Sequence, residues 1–484
     1  MAPANDPSST TLRLLVAIAS YGSSNDRHLR RVIEEYRSMS FCVDIVVLSN
    51  IEKSDIGDVK CSVGLPNKNP WSLPFAHQNL FSDNVDRYDL FIYSEDDILV
   101  SERNIRAFLD VTEFLEENEI AGFLRWERKA DGGINYPDVH GCFHWDPELV
   151  RSRKGTTFAH FTNEHAGCYI LTRAQLRRAI ETGGFVVEPH DGKYDLLCTA
   201  ATDIYTQCGF KKLIPISRFE EFAVHHLSNK YAEKIGVDGE ELNRQVDALL
   251  ANDGKSKKNS KLLVGETKLW RGIYSKDYYE PANDDAISLI PSWARSVLSI
   301  GSGLGATERA LYEKGLSVTA IPLNNVISEG LRQRGVDVIS ADFNEARDAL
   351  NNAKFDCILY LNVLHLIANP TEVLTLFNDV ITRDSTIVIQ SPNMWSIPEV
   401  WRRVRNFGPG RRSDFNLTGL HWTGVREVQE WCRLSGLAVD RTIGLLHRRA
   451  KMLDGLSSGV ATLPLSPNFI TIARREERLA CFGT

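Results

Sequence analysis

The segment SVLSIGSGLGATERALYEKG, residues 296–315, carries the clearest fold signal in the chain. An apolar run typical of a buried strand leads into Gly301, Gly303 and Gly305, and an amphipathic helical pattern follows. Glycine permits a tight turn and lets a ligand approach backbone that a Cβ atom would block. This order predicts the first unit of an open parallel sheet, which binds its ligand at the carboxyl ends of its strands.

Four more strand-like segments follow the glycine loop, with helical patterns between them, and together they predict a doubly wound α/β domain. They are SVTAIPL (317–323), GVDVISAD (335–342), FDCILYLNVLHLI (355–367) and STIVIQSPN (385–393). With the later GLHWTGVREVQEWCRLSGL, these segments make residues 278–473 resemble the class I S-adenosylmethionine-dependent methyltransferases, whose fold is Rossmann-like. A dinucleotide oxidoreductase is the competing interpretation, although its fingerprint is GxGxxG with an acid ending the second strand.

The resemblance implies that Gly301, Gly303 and Gly305 cradle the cofactor and that Asp342 contacts the adenine amino group. The sequence departs from the family at two positions. Pro322 stands where the ribose-binding acid is expected, leaving Asn324 as a substitute, and Ser299 stands where many methyltransferases carry an acid. His365 and His421 are the candidate bases for methylation of a hydroxyl group. Because of the departures, a degenerate domain that serves only binding or dimerisation stays an alternative.

The segment LFIYSEDDILVSERN, residues 90–104, places Glu95, Asp96 and Asp97 at the end of an apolar strand. Burying several like charges costs several kcal/mol unless a partner compensates them. Ser101 is a suitable N-cap for the helix that follows, so the acids lie on a short connection. Mn²⁺ and Mg²⁺ take such oxygen ligands and share their remaining positions with phosphate and water. The stretch therefore predicts a metal site for a nucleotide diphosphate.

Strand, turn and helix also open this half of the chain, in LRLLVAIASYGSSNDRHLRRVIEEY (12–36), and a second strand follows in VDIVVLSN (43–50). The alternation predicts another open parallel sheet with helices on its faces. Residues 12–227 resemble the GT-A glycosyltransferases, which use nucleotide sugars. The resemblance implies metal ligation by Asp97 with Glu95 nearby, and Asp96 close to the donor ribose or sugar. It further implies that Ala19, Tyr21 and Gly22 border the nucleotide base.

The same resemblance suggests that a late histidine completes the metal or diphosphate shell, for which His225 and His226 are candidates. Adjacent residues of a strand point in opposite directions, so only one of the two is expected to serve. An inverting transferase also needs a carboxylate to accept the proton of the acceptor hydroxyl. Asp203 is the first choice for this base and Glu164 the second.

The 484 residues exceed one ordinary core, and the polar, basic stretch ANDGKSKKNSKLL (251–263) has the composition of a linker. We therefore predict an α/β protein of two doubly wound domains. A GT-A-like nucleotide-sugar domain over residues 10–250 is followed by a linker over 251–275. A Rossmann-like class I methyltransferase domain then covers residues 276–478.

The amino-acid composition limits the classes of binding partner that we expect. A net charge of −7 with no strongly basic half argues against nucleic acid. No signal peptide or membrane-spanning run is recognisable, which predicts a cytoplasmic protein and leaves peripheral membrane association open. The nine cysteines form no CxxC pair, as expected of reduced core thiols rather than a zinc site.

Together the halves predict a bifunctional enzyme of surface polysaccharide or glycolipid biosynthesis. The first domain would transfer a hexosyl or N-acetylhexosaminyl group, with a UDP-sugar the favoured donor, to a glycan or lipid-linked oligosaccharide. The second would use S-adenosylmethionine to O-methylate the glycan. A nucleotidyltransferase-like first domain is the remaining alternative, but IASYGSSNDRHL lacks the dense glycine-rich, basic loop of that class.

Overall fold

The computed structural model describes residues 11–54, 56–251, 262–263, 265–407, 414–446 and 463–476. The chain divides into two compact units. One comprises residues 1–255 without Gly141–His144, and the other comprises residues 256–484 together with Gly141–His144. Each unit is built around its own sheets and hydrophobic core.

The first unit contains fourteen strands and six α-helices among its described residues. The strands are β1 (Arg13–Ser20), β2 (Cys42–Ser49), β3 (Lys60–Val63), β4 (Leu90–Glu95), β5 (Ile98–Leu99), β6 (Glu119–Ala121), β7 (Leu124–Arg128), β8 (Ile134–Tyr136), β9 (Trp145–Arg153), β10 (Thr156–Phe161), β11 (Cys168–Thr172), β12 (Lys211–Pro215), β13 (Ala223–His226) and β14 (Val237–Asp238). The helices are α1 (Asp26–Ser38), α2 (Ala76–Ser82), α3 (Glu102–Thr112), α4 (Arg173–Glu181), α5 (Leu196–Thr206) and α6 (Gly239–Ala251).

The main sheet of this unit has the order β11-β4-β1-β2-β3. Strands β3, β2, β1 and β4 are parallel, and β11 is antiparallel to β4. The central strands β1 and β4 are buried almost throughout because helices cover the sheet, which explains their nearly continuous apolar sequences. The predicted parallel sheet is present, and the acidic run leaves it at the carboxyl end of β4.

Two smaller sheets complete the unit, and they correct the prediction of a simple doubly wound domain. Their orders are β6-β12-β10-β9 and β14-β8-β7-β13-β5, and most of their pairs are antiparallel. The tight connection between β9 and β10 runs through Lys154 and Gly155, both at positive φ, which permits a hairpin where a parallel unit would need a crossover. The first unit is thus mixed α/β.

The second unit contains one seven-stranded sheet. Its strands are β15 (Ser296–Ser302), β16 (Ser317–Pro322), β17 (Asp337–Val338), β18 (Phe355–Leu361), β19 (Ile381–Pro392), β20 (Leu437–Leu445) and β21 (Asn468–Arg475). Its helices are α7 (Asp284–Ser288), α8 (Ala306–Glu313), α9 (Glu329–Arg332), α10 (Phe343–Leu350), α11 (Pro370–Leu376), α12 (Ile397–Phe407), α13 (Phe415–Thr418) and α14 (Val425–Leu434).

The strand order is β17-β16-β15-β18-β19-β21-β20. The first five strands are parallel, and β21 lies antiparallel between β19 and β20. These five are the strands predicted from the sequence. The order reverses at β15, so the glycine loop lies at the crevice where open parallel sheets bind ligands.

Part of the predicted linker is folded. Residues 252–261 lie outside the described residues, but Leu263 forms a β-bridge with Ile367 and Lys276 N–H donates to Gly265 O at 3.3 Å. Thr267 Oγ1 also donates to the Ile273 carbonyl at 2.9 Å. Leu263 is apolar and packs against the hydrophobic core of the second unit. The folded part of the chain therefore begins before residue 275, where the predicted linker ends.

None of the helices in the described part of the chain combines the length and apolarity needed to cross a membrane. The eight cysteines that fall within the described residues are all free thiols. Half of them are buried, as expected of small apolar core residues.

Candidate functional site

The acidic residues at the end of β4 have different surroundings. Asp96 Oδ1 accepts a hydrogen bond from Asn25 Nδ2 at 2.8 Å, and the Asp96 N–H donates to the Ala19 carbonyl at 3.1 Å. Burial raises the pKa of Asp96 to about 6, against the opposing effect of Asn25. The turn predicted to border the nucleotide base therefore touches the acidic run through Ala19.

Asp97 faces His226 across two strands. Strand β13 pairs antiparallel with β5, and this pairing brings His226 Nε2 to 3.0 Å from Asp97 Oδ2. The other ring nitrogen, Nδ1, lies 2.5 Å from Oε1 of the buried Glu127. Burial would raise the pKa of Asp97, but the hydrogen bond and charge of His226 outweigh it and lower this pKa to about 2.

The two adjacent histidines diverge, as their position on a strand predicts. His225 stacks face to face on Trp126, with ring centroids 3.9 Å apart and 6° between the planes. His226 is fully buried against the carboxylates. Only His226 is therefore placed beside the acidic run.

Asp97 and His226 present an oxygen and a nitrogen atom of the kinds that divalent cations bind, and in this structure these two atoms lie 3.0 Å from each other. Within the described ranges no group of three or more His, Cys, Asp or Glu side chains is arranged to hold a metal ion. Two protein ligands would thus leave most positions to phosphate oxygens and water, the usual arrangement for Mg²⁺ and similar cations. Glu127 Oε1 lies on the Nδ1 side of the ring, so it fixes the orientation of the imidazole.

The glycine turn after β1 is held open toward solvent. Gly22 lies at φ +64, its N–H donates to Asn50 Oδ1 at 2.7 Å, and its carbonyl accepts from Lys53 Nζ. Tyr21 beside it is exposed. The backbone of the turn is therefore fixed while the Tyr21 ring remains accessible to a planar ligand.

The loop between β10 and β11 borders the acidic run. The Glu95 N–H donates to the Gly167 carbonyl at 2.9 Å, and Glu95 Oε1 lies 3.9 Å from His165 Nε2. In the same loop, Glu164 Oε2 accepts from Tyr194 OH at 2.6 Å and lies 3.1 Å from Lys193 Nζ. Glu164 is therefore an oriented carboxylate in the loop that contacts Glu95.

Asp203, the first choice for the base, lies elsewhere. It is fully buried in the middle of α5, where Oδ2 accepts from Gln78 Nε2 at 3.4 Å and Oδ1 lies 3.4 Å from His190 Nε2. Burial raises the pKa of Asp203 to about 6. The small residues before it lie on a buried helix face, and Asp203 is buried with them. Which of the two carboxylates serves as the base stays a prediction.

In the second unit, the glycine loop is in close contact with residues 276–280. A Cβ atom at Gly303 would lie 2.2 Å from the Tyr278 carbonyl oxygen, which accepts the Leu304 N–H at 2.6 Å. Gly301 and Gly305 lie at φ +88 and φ +83, where other residues are strained. All three glycines are thus required by the backbone.

Two carboxylates lie beside the glycine loop, although the sequence has Ser299 and Pro322 at the positions where the family carries acids. Ser299 Oγ donates to Oε1 of the buried Glu308 at 2.5 Å, and Lys276 Nζ contacts Glu280. These four side chains line a cavity of about 10 Å³, which is room for one small polar group. Glu308, Glu280 and Lys276 were not among the residues predicted from the sequence. Two features of the sequence pointed to Glu308. It lies on the helix that follows the glycine loop, and Ser299 before the loop stands where an acid is usual.

Buried polar atoms without hydrogen-bond partners collect at the carboxyl ends of three neighbouring strands. Within the described residues, Ser302 Oγ, Asn325 Nδ2 and Asn362 Oδ1 have no such partner. Ser302 ends β15, and Asn325 and Asn362 follow β16 and β18; these three strands are adjacent in the sheet. Orphaned polar atoms at this edge are what a polar cofactor would satisfy, so the residues present fit S-adenosylmethionine.

The predicted ribose and adenine ligands are partly committed to the backbone. Asn324 Oδ1 accepts the N–H groups of Val326 and Ile327 at 3.0 and 3.3 Å, so this oxygen closes a turn rather than replacing the acid missing at Pro322. Asp342 Oδ1 caps α10. The role of Asn324 at the ribose stays a prediction, and the amide nitrogen of the neighbouring Asn325 has no hydrogen-bond partner among the described residues.

The two candidate base histidines are bound to backbone carbonyls. His365 Nε2 lies 2.9 Å from the Tyr274 carbonyl, and His421 Nε2 lies 3.1 Å from the Ala368 carbonyl. Burial lowers the pKa of His365 to about 4. The backbone N–H of His421 also donates to the backbone carbonyl of His365 at 2.7 Å. These contacts fix the orientation of both imidazole rings, and the role of either residue as a base stays a prediction.

A family model described as a methyltransferase domain matches residues 238–442. No curated protein sequence matches the chain. The chain is structurally similar to methyltransferases from three organisms. An S-adenosylmethionine-dependent enzyme of Archaeoglobus fulgidus aligns at 15% identity over 40% of this chain and 90% of its own, with a TM-score of 0.29.

An S-adenosylmethionine-dependent enzyme of Mesorhizobium loti aligns at 16% identity over 40% of this chain and 96% of its own, with a TM-score of 0.30. CcbJ of Streptomyces caelestis aligns at 13% identity over 41% of this chain and 92% of its own, with a TM-score of 0.30. The family match and the observed strand order agree, and the C-terminal part of the chain contains a class I S-adenosylmethionine-dependent methyltransferase domain.

Proposed function

We propose that the protein is a bifunctional glycan-modifying enzyme. The first unit transfers a hexosyl or N-acetylhexosaminyl group from a nucleotide sugar, and the second O-methylates the glycan. Support for the methyl transfer comes from the family match and the glycine loop at the reversal point of the sheet. The observation that carries the sugar transfer is the approach of Asp97 to His226, with Glu127 behind the ring.

In the first unit, Asp97 and His226 would hold Mn²⁺ or Mg²⁺. The cation would neutralise the diphosphate of the donor, for which a UDP-sugar is our first choice. Asp96 would contact the ribose or the sugar, and the turn at Tyr21 would face the base. A nucleotidyltransferase would use the same cation and nucleotide, so the release of nucleoside diphosphate is the product that distinguishes sugar transfer.

Glu164 is our choice for the group that accepts the proton of the acceptor hydroxyl. It lies in the loop that contacts Glu95 through Gly167 and His165, and Tyr194 and Lys193 fix the orientation of its carboxylate. A base must lie within hydrogen-bond reach of the proton it removes, and Asp203 is too deeply buried for that. The acceptor we propose is a glycan or a lipid-linked oligosaccharide.

In the second unit, S-adenosylmethionine supplies a methyl group already activated by its sulfonium. The buried Glu308 and the neighbouring Glu280 would bind its ammonium group in the small cavity beside the glycine loop. Asn325 and Asn362 would use their unpartnered amide atoms for polar groups of the cofactor. These side chains bind and orient, while the energetic driving force lies in the sulfonium leaving group.

The proposal is tested by thermal shift with nucleotide sugars, with and without Mn²⁺, and with S-adenosylmethionine in parallel. We expect stabilisation by a UDP-sugar only when Mn²⁺ is present, and separate stabilisation by S-adenosylmethionine. Asp97→Ala should abolish the first response and keep the second. The control is Asp247→Ala, which changes an exposed aspartate of the same unit.

Two results would overturn parts of the proposal. Full Mn²⁺-dependent sugar transfer by the Asp97→Ala variant would remove the metal assignment. Absence of any response to S-adenosylmethionine or its demethylated product would identify the second unit as a binding or dimerisation module instead of an enzyme.

A further inference from the structure

Helix α12 turns an apolar face toward solvent. Ile397, Trp401 and Val404 recur at spacings of four and three residues, which places them on one side of the helix. Their exposed fractions are 62%, 65% and 49%, and Trp395, just before the helix, is 52% exposed. Contiguous exposed apolar side chains of this size usually mark a binding surface.

Arginines surround this face. Arg405 is exposed, and its guanidinium lies 5.5 Å from the centre of the Trp401 ring. Arg403 lies 4.7 Å from the centre of the Trp395 ring. Neither forms an ion pair with a carboxylate of the described residues. Arg402 is paired with Glu399.

The surface is locally basic on a chain whose net charge is −7. Arg411 and Arg412 follow in the sequence, although their structure lies outside the described residues. The overall negative charge would keep the protein away from an anionic surface, so attraction must come from a concentrated patch of this kind. We name Trp395 and the α12 side chains Ile397, Trp401, Val404, Arg403 and Arg405 the tryptophan–arginine surface.

The combination of tryptophan and arginine on this surface favours one kind of binding partner. Tryptophan concentrates at the headgroup level of membranes, where its ring is half in the apolar layer, and arginine binds lipid phosphates while its stem lies along that layer. A second copy of the chain would bring two basic patches face to face, which like-charge repulsion disfavours. An anionic lipid bilayer satisfies both the apolar face and the arginines.

We propose that the tryptophan–arginine surface binds the headgroup region of anionic membranes, with α12 lying in the plane of the interface. The helix follows the carboxyl end of β19, the edge of the sheet at which the glycine loop also lies. Binding would therefore hold that edge of the second unit near lipid-borne acceptors. The inference goes beyond the proposed function and stands on the helix surface alone.

The test is flotation of the full chain with phosphatidylcholine vesicles that do or do not contain phosphatidylglycerol. We expect binding only to the anionic vesicles. Trp401→Ser should weaken it by at least about tenfold, because the apolar anchor is lost. Replacing Arg405 by alanine should weaken it by about fivefold, the effect of one interfacial charge. Added salt should weaken binding further.

The matched control is Trp293→Ser. Trp293 is 49% exposed in the same unit but outside this surface, so its variant should bind as the parent does. Both substitutions are at exposed positions, and circular dichroism should show unchanged folding. The proposal is overturned if the parent does not bind anionic vesicles, or if Trp401→Ser binds equally well. It is also overturned if the parent forms a dimer in solution that Trp401→Ser dissociates.

Discussion

At the scale of single residues, three carboxyl groups that look alike in the sequence differ because of what faces them. Asp97 is held ionised by His226, whereas burial raises the pKa of Asp96 and of Asp203. Burial favours the neutral acid, and a cationic hydrogen-bond partner favours the carboxylate. The charge state of each residue therefore follows from its tertiary neighbours.

Asp203 allows a prediction of pH-dependent stability. Its pKa rises from 3.8 to about 6 on folding, so the native state holds the proton more tightly than the unfolded state. The stability that this residue contributes is present below about pH 4 and is lost as the pH rises to about 6. Asp203→Asn should therefore stabilise the first unit at pH 7.5 by about 1–3 kcal/mol and change little at pH 4.

Thermal unfolding of parent and variant at the two pH values measures this difference. A variant that is less stable at pH 7.5 would contradict the prediction. A more stable variant that has lost sugar transfer would restore Asp203 as the base in place of Glu164.

Glu308 allows a prediction about cofactor binding. Its buried carboxylate accepts a hydrogen bond from Ser299. Ser299 itself stands at the position where many methyltransferases carry an acid. Glu308→Gln should weaken S-adenosylmethionine binding by about tenfold or more, the effect of removing a charged hydrogen-bond acceptor. Isothermal titration measures it, with Glu313→Gln on the exposed side of the same helix as the control. Equal affinities of the two variants would exclude Glu308 from the cofactor site.

At the scale of secondary-structure elements, short-range signals predicted most of the architecture. Ser101 caps α3 in a capping box with Asn104, as its position before the helix predicts. The five parallel strands of the second unit coincide with the apolar segments of the sequence. The two smaller sheets of the first unit were not predicted, because several of their strands have only two or three residues and pairings such as that of β13 with β5 join segments far apart in the chain.

The contact between the glycine loop and residues 276–280 predicts the effect of Gly303→Ala. The added Cβ atom would lie 2.2 Å from a backbone oxygen, which cannot rotate away as a flexible side chain could. We expect the second unit to lose about 1–3 kcal/mol of stability, typical of forced overpacking, together with its affinity for S-adenosylmethionine. Calorimetry and titration measure the two effects.

The control for this variant is Gly239→Ala. A Cβ atom there meets its nearest neighbour at 3.8 Å, an ordinary contact distance. If Gly303→Ala retained the stability and cofactor affinity of Gly239→Ala, the close approach of the Tyr278 carbonyl would not be a constraint in solution.

At the scale of the whole molecule, the two units have separate cores. Unfolding of such a chain is not expected to be two-state, so calorimetry should resolve two transitions. S-adenosylmethionine should raise the midpoint of one, and a UDP-sugar with Mn²⁺ the midpoint of the other, because each ligand stabilises only the unit that binds it. A single transition that both ligands shift equally would contradict this expectation.

The sequence by itself determined the presence of two α/β units, the glycine loop and the acidic run, because periodicity, turn residues and caps act over a few neighbouring positions. Only the tertiary structure decided which side chains complete the sites. His226 lies 129 residues from Asp97, and Glu308 reaches Ser299 only because α8 folds back along β15. Such contacts depend on strand pairing and helix packing, which bring distant segments together and leave no local pattern in the chain.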